Sequence, residues 1–412
     1  MAGIVVVGAG QAGASLVARL RALGFDGPLT LIGAEPVPPY QRPPLTKKYL
    51  TGEMALERLF LRPESFYAEQ RILLRMGARV EGIDRAGKAI LVGGARLAYD
   101  RLVLTTGALP RRLPAALGGD LAGVHVARDL ADADAMAPEF RPGRRLLVVG
   151  GGYIGLEAAA VAAAKGLQVT LVEAAPRILA RVGCAETAEW FRALHRDHGV
   201  DILEGVALAR LTGQDGRVTG AELADGRRLA CDFAIVGIGV TPETALAGAA
   251  GLDIANGIAV DALGRSSDPA IWAAGDCASF PAPAALAHAA GADGRLRLES
   301  VQNAIDMAEA VAANLMGAGA AYAPQPWFWS DQYATKLQIA GLGTGADRIV
   351  RRPGTGDAAS HWYYAAGRLI AVDAMNDARA YMVGKRLIEA GRSPAPEVVA
   401  DPAVDARGLL AG

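Results

Sequence analysis

The sequence predicts an α/β protein: two parallel-sheet units, the second inserted within the first, followed by a C-terminal α+β domain. Three observations carry this reading. One glycine signature occurs twice, as Gly8-Ala9-Gly10-Gln11-Ala12-Gly13 and, 142 positions on, as Gly150-Gly151-Gly152-Tyr153-Ile154-Gly155. Apolar runs alternate with alanine-rich stretches around each copy, the order that gives parallel strands joined by helical crossovers. From Pro324 onward the composition shifts to aromatics and alternating strand patterns.

The first run, Ile4-Val5-Val6-Val7, reads as a buried strand that enters the first glycine turn and then an alanine-rich helix. In such a turn the first glycine permits the sharp bend, and the second lets backbone N–H groups approach a pyrophosphate. The third lets helix and strand pack closely. The helix then turns the positive end of its dipole toward the phosphates. A carboxylate should close each unit by accepting ribose hydroxyls, and both units have one. Glu35 follows Leu29-Thr30-Leu31-Ile32, 22 residues after Gly13, and Glu173 follows Val169-Thr170-Leu171-Val172, 18 residues after Gly155. Two Rossmann-like, dinucleotide-binding units are therefore expected.

Residues 36 to 49 carry too many prolines for a helix or central strand, so a rigid loop that starts a helix near Leu45 is expected. A strand ending Leu102-Val103-Leu104-Thr105-Thr106-Gly107 closes the first unit. The second begins near Arg144 with Leu146-Leu147-Val148-Val149 and runs to Ala234-Ile235-Val236, then Gly237 to Pro242. Ile271-Trp272-Ala273-Ala274-Gly275-Asp276 is a further buried strand that completes the first unit, which makes the second an insertion. The expected division is 1–110 with 242–322, then 111–241, then 323–412. Segments 244–250 and 282–292 read as small-residue helix and loop, 377–390 as a helix, and the tail after Ser393 as partly extended.

A net charge of −1 with 21% charged residues gives no global field for nucleic acid or an anionic membrane. Met1-Ala2-Gly3 leads directly into the first strand and no apolar run approaches about 20 residues, so a cytoplasmic protein is expected. Cys184, Cys231 and Cys277 show no paired spacing and read as buried apolar residues; no dithiol precedes position 184. His195 and His198, with Asp197 nearby, lack a complete ligand set and read as a solvated helix face, so no metal is expected.

Over nearly its whole length the chain resembles the FAD-dependent NADH:ferredoxin reductases of bacterial cytochrome P450 and ring-hydroxylating dioxygenase systems. The resemblance rests on Arg42-Pro43-Pro44-Leu45-Thr46-Lys47, Thr105-Thr106-Gly107, Gly150 to Glu157, Ala274-Gly275-Asp276, Glu299-Ser300-Val301-Gln302-Asn303-Ala304 and Trp327 to Tyr333. It implies that Gly8, Gly10, Ala12 and Gly13 hold the FAD pyrophosphate, Glu35 its ribose, and Asp276 the ribityl region. Arg42, Val80, Thr106, Gly107, Arg128 and Val301 would be further FAD contacts. Gly150, Gly152, Tyr153, Ile154, Gly155, Glu173 and Gly239 would hold NADH. One departure is Ala34, where many relatives carry an acid, so Glu35 stands alone.

For catalysis the resemblance implies that Lys47 lies beside flavin N5, that Glu157 fixes its ammonium, and that Trp329 covers the flavin from water. The implied activity passes a hydride from NADH to FAD and single electrons on to a [2Fe-2S] ferredoxin. A rubredoxin reductase, an NADH oxidase or peroxidase, and a non-enzymatic NADH-sensing flavoprotein of the apoptosis-inducing-factor type are the alternatives. The oxidases need a cysteine near position 42, where this chain has Tyr40-Gln41-Arg42-Pro43. Glu173 should repel the 2′-phosphate of NADPH, although Arg177 could attract it. Arg295, Arg297 and Lys336 are the candidate cations for docking an acidic ferredoxin.

Overall fold

Five short, almost wholly apolar strands meet in one parallel sheet because both of its faces are covered, so no alternation with polar residues is needed. Their spatial order is Ile271–Ala273, Arg101–Leu104, Ile4–Val7, Leu29–Ile32 and Ile72–Arg75. Ile271 pairs with Leu102 although 169 residues separate them, the signature of an insertion. The computed structural model describes residues 3–410, which leaves Met1 and Ala2, on which the reading of the N-terminus partly rests, outside the described residues.

The chain forms two compact units. The first takes Met1–Gln41, Leu56–Leu109 and Thr241–Pro326; the second takes Arg42–Ala55, Pro110–Val240 and Trp327–Gly412. In the first, the glycine-turn helix Gln11–Ala22 packs on helix Val301–Leu315. The sequence reading assigned no element between Tyr49 and Leu102. That stretch holds helix Glu64–Glu69, the edge strand Ile72–Arg75 and an antiparallel sheet of Val80–Asp84, Ala89–Val92 and Ala95–Ala98.

In the second unit, Arg145–Val149, Gln168–Glu173, Asp201–Glu204, Phe233–Val236 and Val124–His125 form another parallel sheet. A five-stranded antiparallel sheet runs in the order Trp327–Gln332, Thr335–Gly341, Arg368–Met375, Ala359–Ala365 and Arg348–Pro353. Helix Ala378–Glu389 covers it. One continuous core joins the two sheets of this unit: Leu156, Leu171, Phe191 and Phe233 cluster with Leu337, Ile339, Ala359 and Met375.

Three local expectations change. The helix near Leu45 is only a four-residue 3-10 turn, Pro43–Thr46. Its two prolines suit a helix start, where no N–H is needed, but Lys47 leaves helical geometry at φ −131°, ψ −116°. The tail is extended only in places such as Asp401: Pro396–Ala400 is helical and Ala406–Leu410 is a 3-10 turn, because Val399 and Leu409 are buried against the C-terminal sheet core. The loop at 282–292 holds a 3-10 turn, Ala284–Ala289, anchored by buried Leu286. Among the described residues no helix is long and apolar enough to cross a membrane.

Candidate active site

The two glycine turns place their three glycines in the same three environments. A Cβ built on Gly8, at φ +115°, would lie 2.1 Å from the Thr105 carbonyl oxygen, and one on Gly150, at φ +108°, would lie 2.4 Å from that of Gly237. A Cβ on Gly13 would lie 2.1 Å from the Gly8 oxygen, and one on Gly155 2.1 Å from the Gly150 oxygen. Gly10 and Gly152 are the exceptions in each turn, since nothing stands within 4 Å of a Cβ there. The first and third glycines thus let the chain touch itself, and the second opens a cradle. Neither helix has a side-chain cap or a first-turn acid, so the N-terminal N–H groups and dipole face the cradle without a competing carboxylate. Both turns fit a pyrophosphate.

The closing acids are positioned differently. Glu35 accepts the Tyr40 hydroxyl at 2.5 Å, and the 77–80 segment runs beside it: Gly77 N–H donates to the Glu35 carbonyl and Ala78 N–H to that of Gly33. Val80 opens the strand that follows. Glu173 accepts the Gly151 N–H at 2.6 Å on one oxygen and the Ala175 N–H at 2.7 Å on the other, so its carboxylate braces the glycine turn itself. Arg177, the possible 2′-phosphate partner, instead donates to the carbonyls of Gly183 at 2.8 Å and Cys184 at 3.2 Å. It is committed to holding the loop.

In the first unit Thr105 makes a contact that its place in Thr105-Thr106-Gly107 did not assign to it. Its hydroxyl donates to the Gly8 carbonyl at 2.8 Å and so ties the closing strand to the glycine turn. Thr106 donates to the Glu243 carbonyl at 2.6 Å, and Gly107, at φ +74°, accepts the Glu243 N–H. Gly275, before Asp276, has φ +82° and would carry a Cβ 3.1 Å from that of Ala12, so the strand end, the first helix and helix Val301–Leu315 converge on small residues. Ser300 caps that helix through the Asn303 N–H, at 3.0 Å, with Val301 as its first residue. Arg297 is not a surface charge: its side chain is 10% exposed, pairs with Glu299 at 2.6 Å and donates to the Asp276 carbonyl at 3.2 Å. Arg295 likewise donates to the carbonyls of Val260 and Ser279. Only Lys336 of the three docking candidates is exposed.

In the second unit Lys47 Nζ meets Glu157 Oε1 at 2.9 Å, bringing together two residues 110 apart in sequence. The 3-10 turn delivers the lysine, and the alanine-rich helix Tyr153–Ala164 delivers the glutamate from its buried side. Ser330 donates to the same Glu157 oxygen at 2.7 Å, and Thr46 to the other at 3.4 Å. Burial raises the Glu157 carboxyl above its ordinary range, against the pull of Lys47 and Ser330. Arg42 donates to the Arg128 carbonyl at 2.6 Å, which ties the loop before the 3-10 turn to a second predicted site residue. Exposed Ile154 and Ile238 stand at the helix start and just past the strand Phe233–Val236; Gly239, φ +98°, follows, and the Tyr153 ring packs on Phe328.

Trp329 lies on the opposite face of its strand from Ser330, paired with the Trp327 ring at 5.5 Å between centroids. The missed partners Ser330 and Gln332 had a legible signal: they alternate with Trp329 and Asp331 at the period of a strand. His195 is a correction. It is fully buried, its Nε2 2.7 Å from Gln332 Oε1, because the C-terminal sheet covers that side of its helix. His198 is exposed and stacks on Tyr333. All three cysteines are buried and free, and among the described residues no cluster could hold a metal.

The pyridine nucleotide-disulphide oxidoreductase family matches residues 2–308, and the reductase C-terminal family matches residues 327–410. The ferredoxin–NAD(P)(+) reductase of a Sphingomonas species is 44% identical over 390 residues, covering 94% of this chain and 92% of its own. Rhodocoxin reductase of Rhodococcus erythropolis is 40% identical over 410 residues, 99% of this chain and 94% of its own. The crystal structure of the covalent putidaredoxin reductase–putidaredoxin complex superposes with a TM-score of 0.94 at 38% identity, covering 99% of this chain and 98% of that one. The chain therefore belongs to the pyridine nucleotide-disulphide oxidoreductases, among the members that carry the reductase C-terminal domain.

Proposed function

We propose that this protein is an NADH-dependent, FAD-containing reductase that delivers electrons to a small [2Fe-2S] ferredoxin serving a P450 or ring-hydroxylating oxygenase. The observation that carries it is the pair of matching cradles at Gly10 and Gly152, which asks for two dinucleotides in one chain. FAD, when bound, supplies the chemistry that nicotinamide lacks, accepting two electrons as a hydride and giving them up singly. Gly8, Gly10, Gly13 and Glu35 hold its pyrophosphate and ribose in this reading, with Val80, Thr106, Gly107, Asp276 and Val301 around it. The nicotinamide coenzyme takes Gly150, Gly152, Gly155 and Glu173, with Tyr153, Ile154 and Gly239 alongside. Lys47, kept in place by Glu157, supplies the positive charge for the redox step, and Arg42, Arg128 and Trp329 complete the contacts assigned to FAD. NADH is preferred to NADPH because Glu173 is anionic and Arg177 is occupied by loop carbonyls.

The name of the Sphingomonas relative, a ferredoxin–NAD(P)(+) reductase, supports ferredoxin as the acceptor. The separate sheets support the finer division into a FAD domain (1–110 with 242–322), an NADH domain (111–241) and a C-terminal domain (323–412). We place the protein in the cytoplasm. The test is anaerobic bleaching of the purified flavoprotein by NADH, followed by cytochrome c reduction with a [2Fe-2S] ferredoxin or a rubredoxin added. The reading expects turnover that requires the ferredoxin and a kcat/KM for NADH well above that for NADPH. Rapid oxygen consumption without any acceptor, or faster turnover with rubredoxin, would overturn the acceptor assignment.

A further inference from the structure

From Glu157 a line of buried polar side chains crosses the second unit to the tip of a hairpin. Ser330 Oγ is 2.7 Å from Glu157 Oε1, Gln332 Nε2 is 3.1 Å from Ser330 Oγ, Gln332 Oε1 is 2.7 Å from His195 Nε2, and His195 Nδ1 is 3.3 Å from the Tyr333 hydroxyl. Ser330, Gln332 and His195 are each fully buried. Such a line costs stability unless every member is satisfied, and here each has a partner on both sides.

The direction of the whole line follows from one end. An ionised carboxylate can only accept, so Ser330 must donate its single proton to Glu157. The Ser330 oxygen is then the acceptor for the Gln332 amide group, which fixes which end of that amide is nitrogen. Gln332 Oε1 in turn needs a donor, so His195 carries its proton on Nε2, and Nδ1 accepts from Tyr333. Tyr333 reaches that nitrogen from the left-handed region, at φ +52°, in the two-residue turn between Gln332 and Thr335. A side chain in that region is strained, and such strain is retained where surrounding contacts over-determine it.

We propose that Tyr333, His195, Gln332 and Ser330 form a one-directional hydrogen-bond chain that holds Glu157 as the carboxylate partner of Lys47, making Gln332 and His195 positioning residues for the redox step. The role in that step rests on the reading given under Proposed function; the direction of the chain does not. The charged groups that act on Glu157 are Lys47, in contact with it, and Asp331, from the opposite face of the Ser330 strand. Those around His195 are His198 on its own helix and Tyr333 from the hairpin. With Asp331 opposing the ionised form, the donated hydrogen bonds and Lys47 are what sustain it.

The first experiment needs no turnover. The protein has five histidines, so selective ¹⁵N labelling with long-range proton–nitrogen correlation at neutral pH resolves the His195 tautomer, assigned by its loss in His195→Asn. A neutral ring protonated on Nε2 is expected; a proton on Nδ1 would reverse the arrows and overturn the chain. The second uses Gln332→Glu, which keeps the volume but offers Ser330 an acceptor on the wrong side and draws its hydroxyl from Glu157. NADH bleaching of the flavin is expected to slow about tenfold, with its acid limb moved to higher pH, while KM for NADH holds. Gln332→Met, which leaves Ser330 free to donate to Glu157, should slow bleaching no more than about threefold. In a Ser330→Ala background Gln332→Glu should add little further effect, because the hydroxyl it would turn is gone. Full additivity would mean that the new charge acts through space and would overturn the relay. An Nε2–H tautomer with parent-like bleaching in both Gln332 variants would leave the chain standing as structure but overturn its positioning role. A protein that neither binds FAD nor bleaches would count against the functional reading instead.

Discussion

At the residue scale, the two glycine turns separate folding from binding. Gly152→Ala points its methyl into open space, so the thermal midpoint should stay near that of the parent while NADH affinity falls at least tenfold, because the methyl fills the pyrophosphate approach. Gly155→Ala drives its methyl to 2.1 Å from a backbone oxygen, so it should unfold the second unit or lower the midpoint severely. Equal losses of stability in the two variants would contradict the assignment of roles. Lys47→Met should slow flavin bleaching about a hundredfold. It also leaves Glu157 buried without its cation, a loss of about 3 kcal/mol or more. Adding Glu157→Gln should therefore recover much of the melting temperature but none of the rate. Recovery of the rate as well would mean that the lysine matters only as a counter-ion.

At the scale of elements, the strand Trp327–Gln332 shows what was legible and what was not. The shift to aromatics and alternating patterns after Pro324 announced the domain it opens, and the glycine turns and their closing acids could be anticipated because their signals lie in local spacing; the Lys47–Glu157 pair, 110 residues apart, was legible only through the family resemblance. The roles of Thr105 and His195 were not legible, and for Ser330 and Gln332 only a shared strand face was, because what each touches depends on which strand lies over which helix. His195 illustrates the point: three residues from His198 on a polar helix, it reads as solvated, yet the C-terminal sheet buries it and pushes its pKa down to about 4. The sign follows from linkage. Above pH 6.5 the ring is neutral folded or unfolded; as the pH falls from 6.5 toward 4 the unfolded chain takes a proton that the folded one refuses, so stability drops by about 3 kcal/mol across that window. His361, also held near 4, adds the same sign, and Asp373, raised to about 6, adds the opposite, so the raw melting profile mixes all three. The difference between parent and His195→Gln isolates one. His195→Gln should melt below the parent at pH 7.5, with the gap closing or reversing by pH 4.5; a constant gap would mean that His195 does not titrate in this way.

At the scale of the whole molecule, 42 basic and 43 acidic side chains leave no net field to steer a partner, so any electrostatic docking must come from a local patch. Arg295 and Arg297, which sequence position offered for that patch, are tied to backbone carbonyls instead. Arg297 holds Glu299 and the Asp276 carbonyl, so it braces the strand end assigned to FAD and the approach to helix Val301–Leu315. Arg297→Glu would put two carboxylates together and withdraw the donor from Asp276. It should therefore depress NADH-to-ferricyanide turnover together with ferredoxin turnover and loosen FAD, read as flavin fluorescence released on gentle warming. Lys336 is exposed and remains the one candidate of the three for steering an acidic ferredoxin. Lys336→Glu should leave ferricyanide turnover unchanged and raise the ferredoxin KM by about twofold to fivefold at low salt, the effect fading as ionic strength shortens the screening length to about 8 Å. If Arg297→Glu kept parental ferricyanide turnover while only its ferredoxin KM rose, Arg297 would return to the docking surface and its bracing role would be withdrawn.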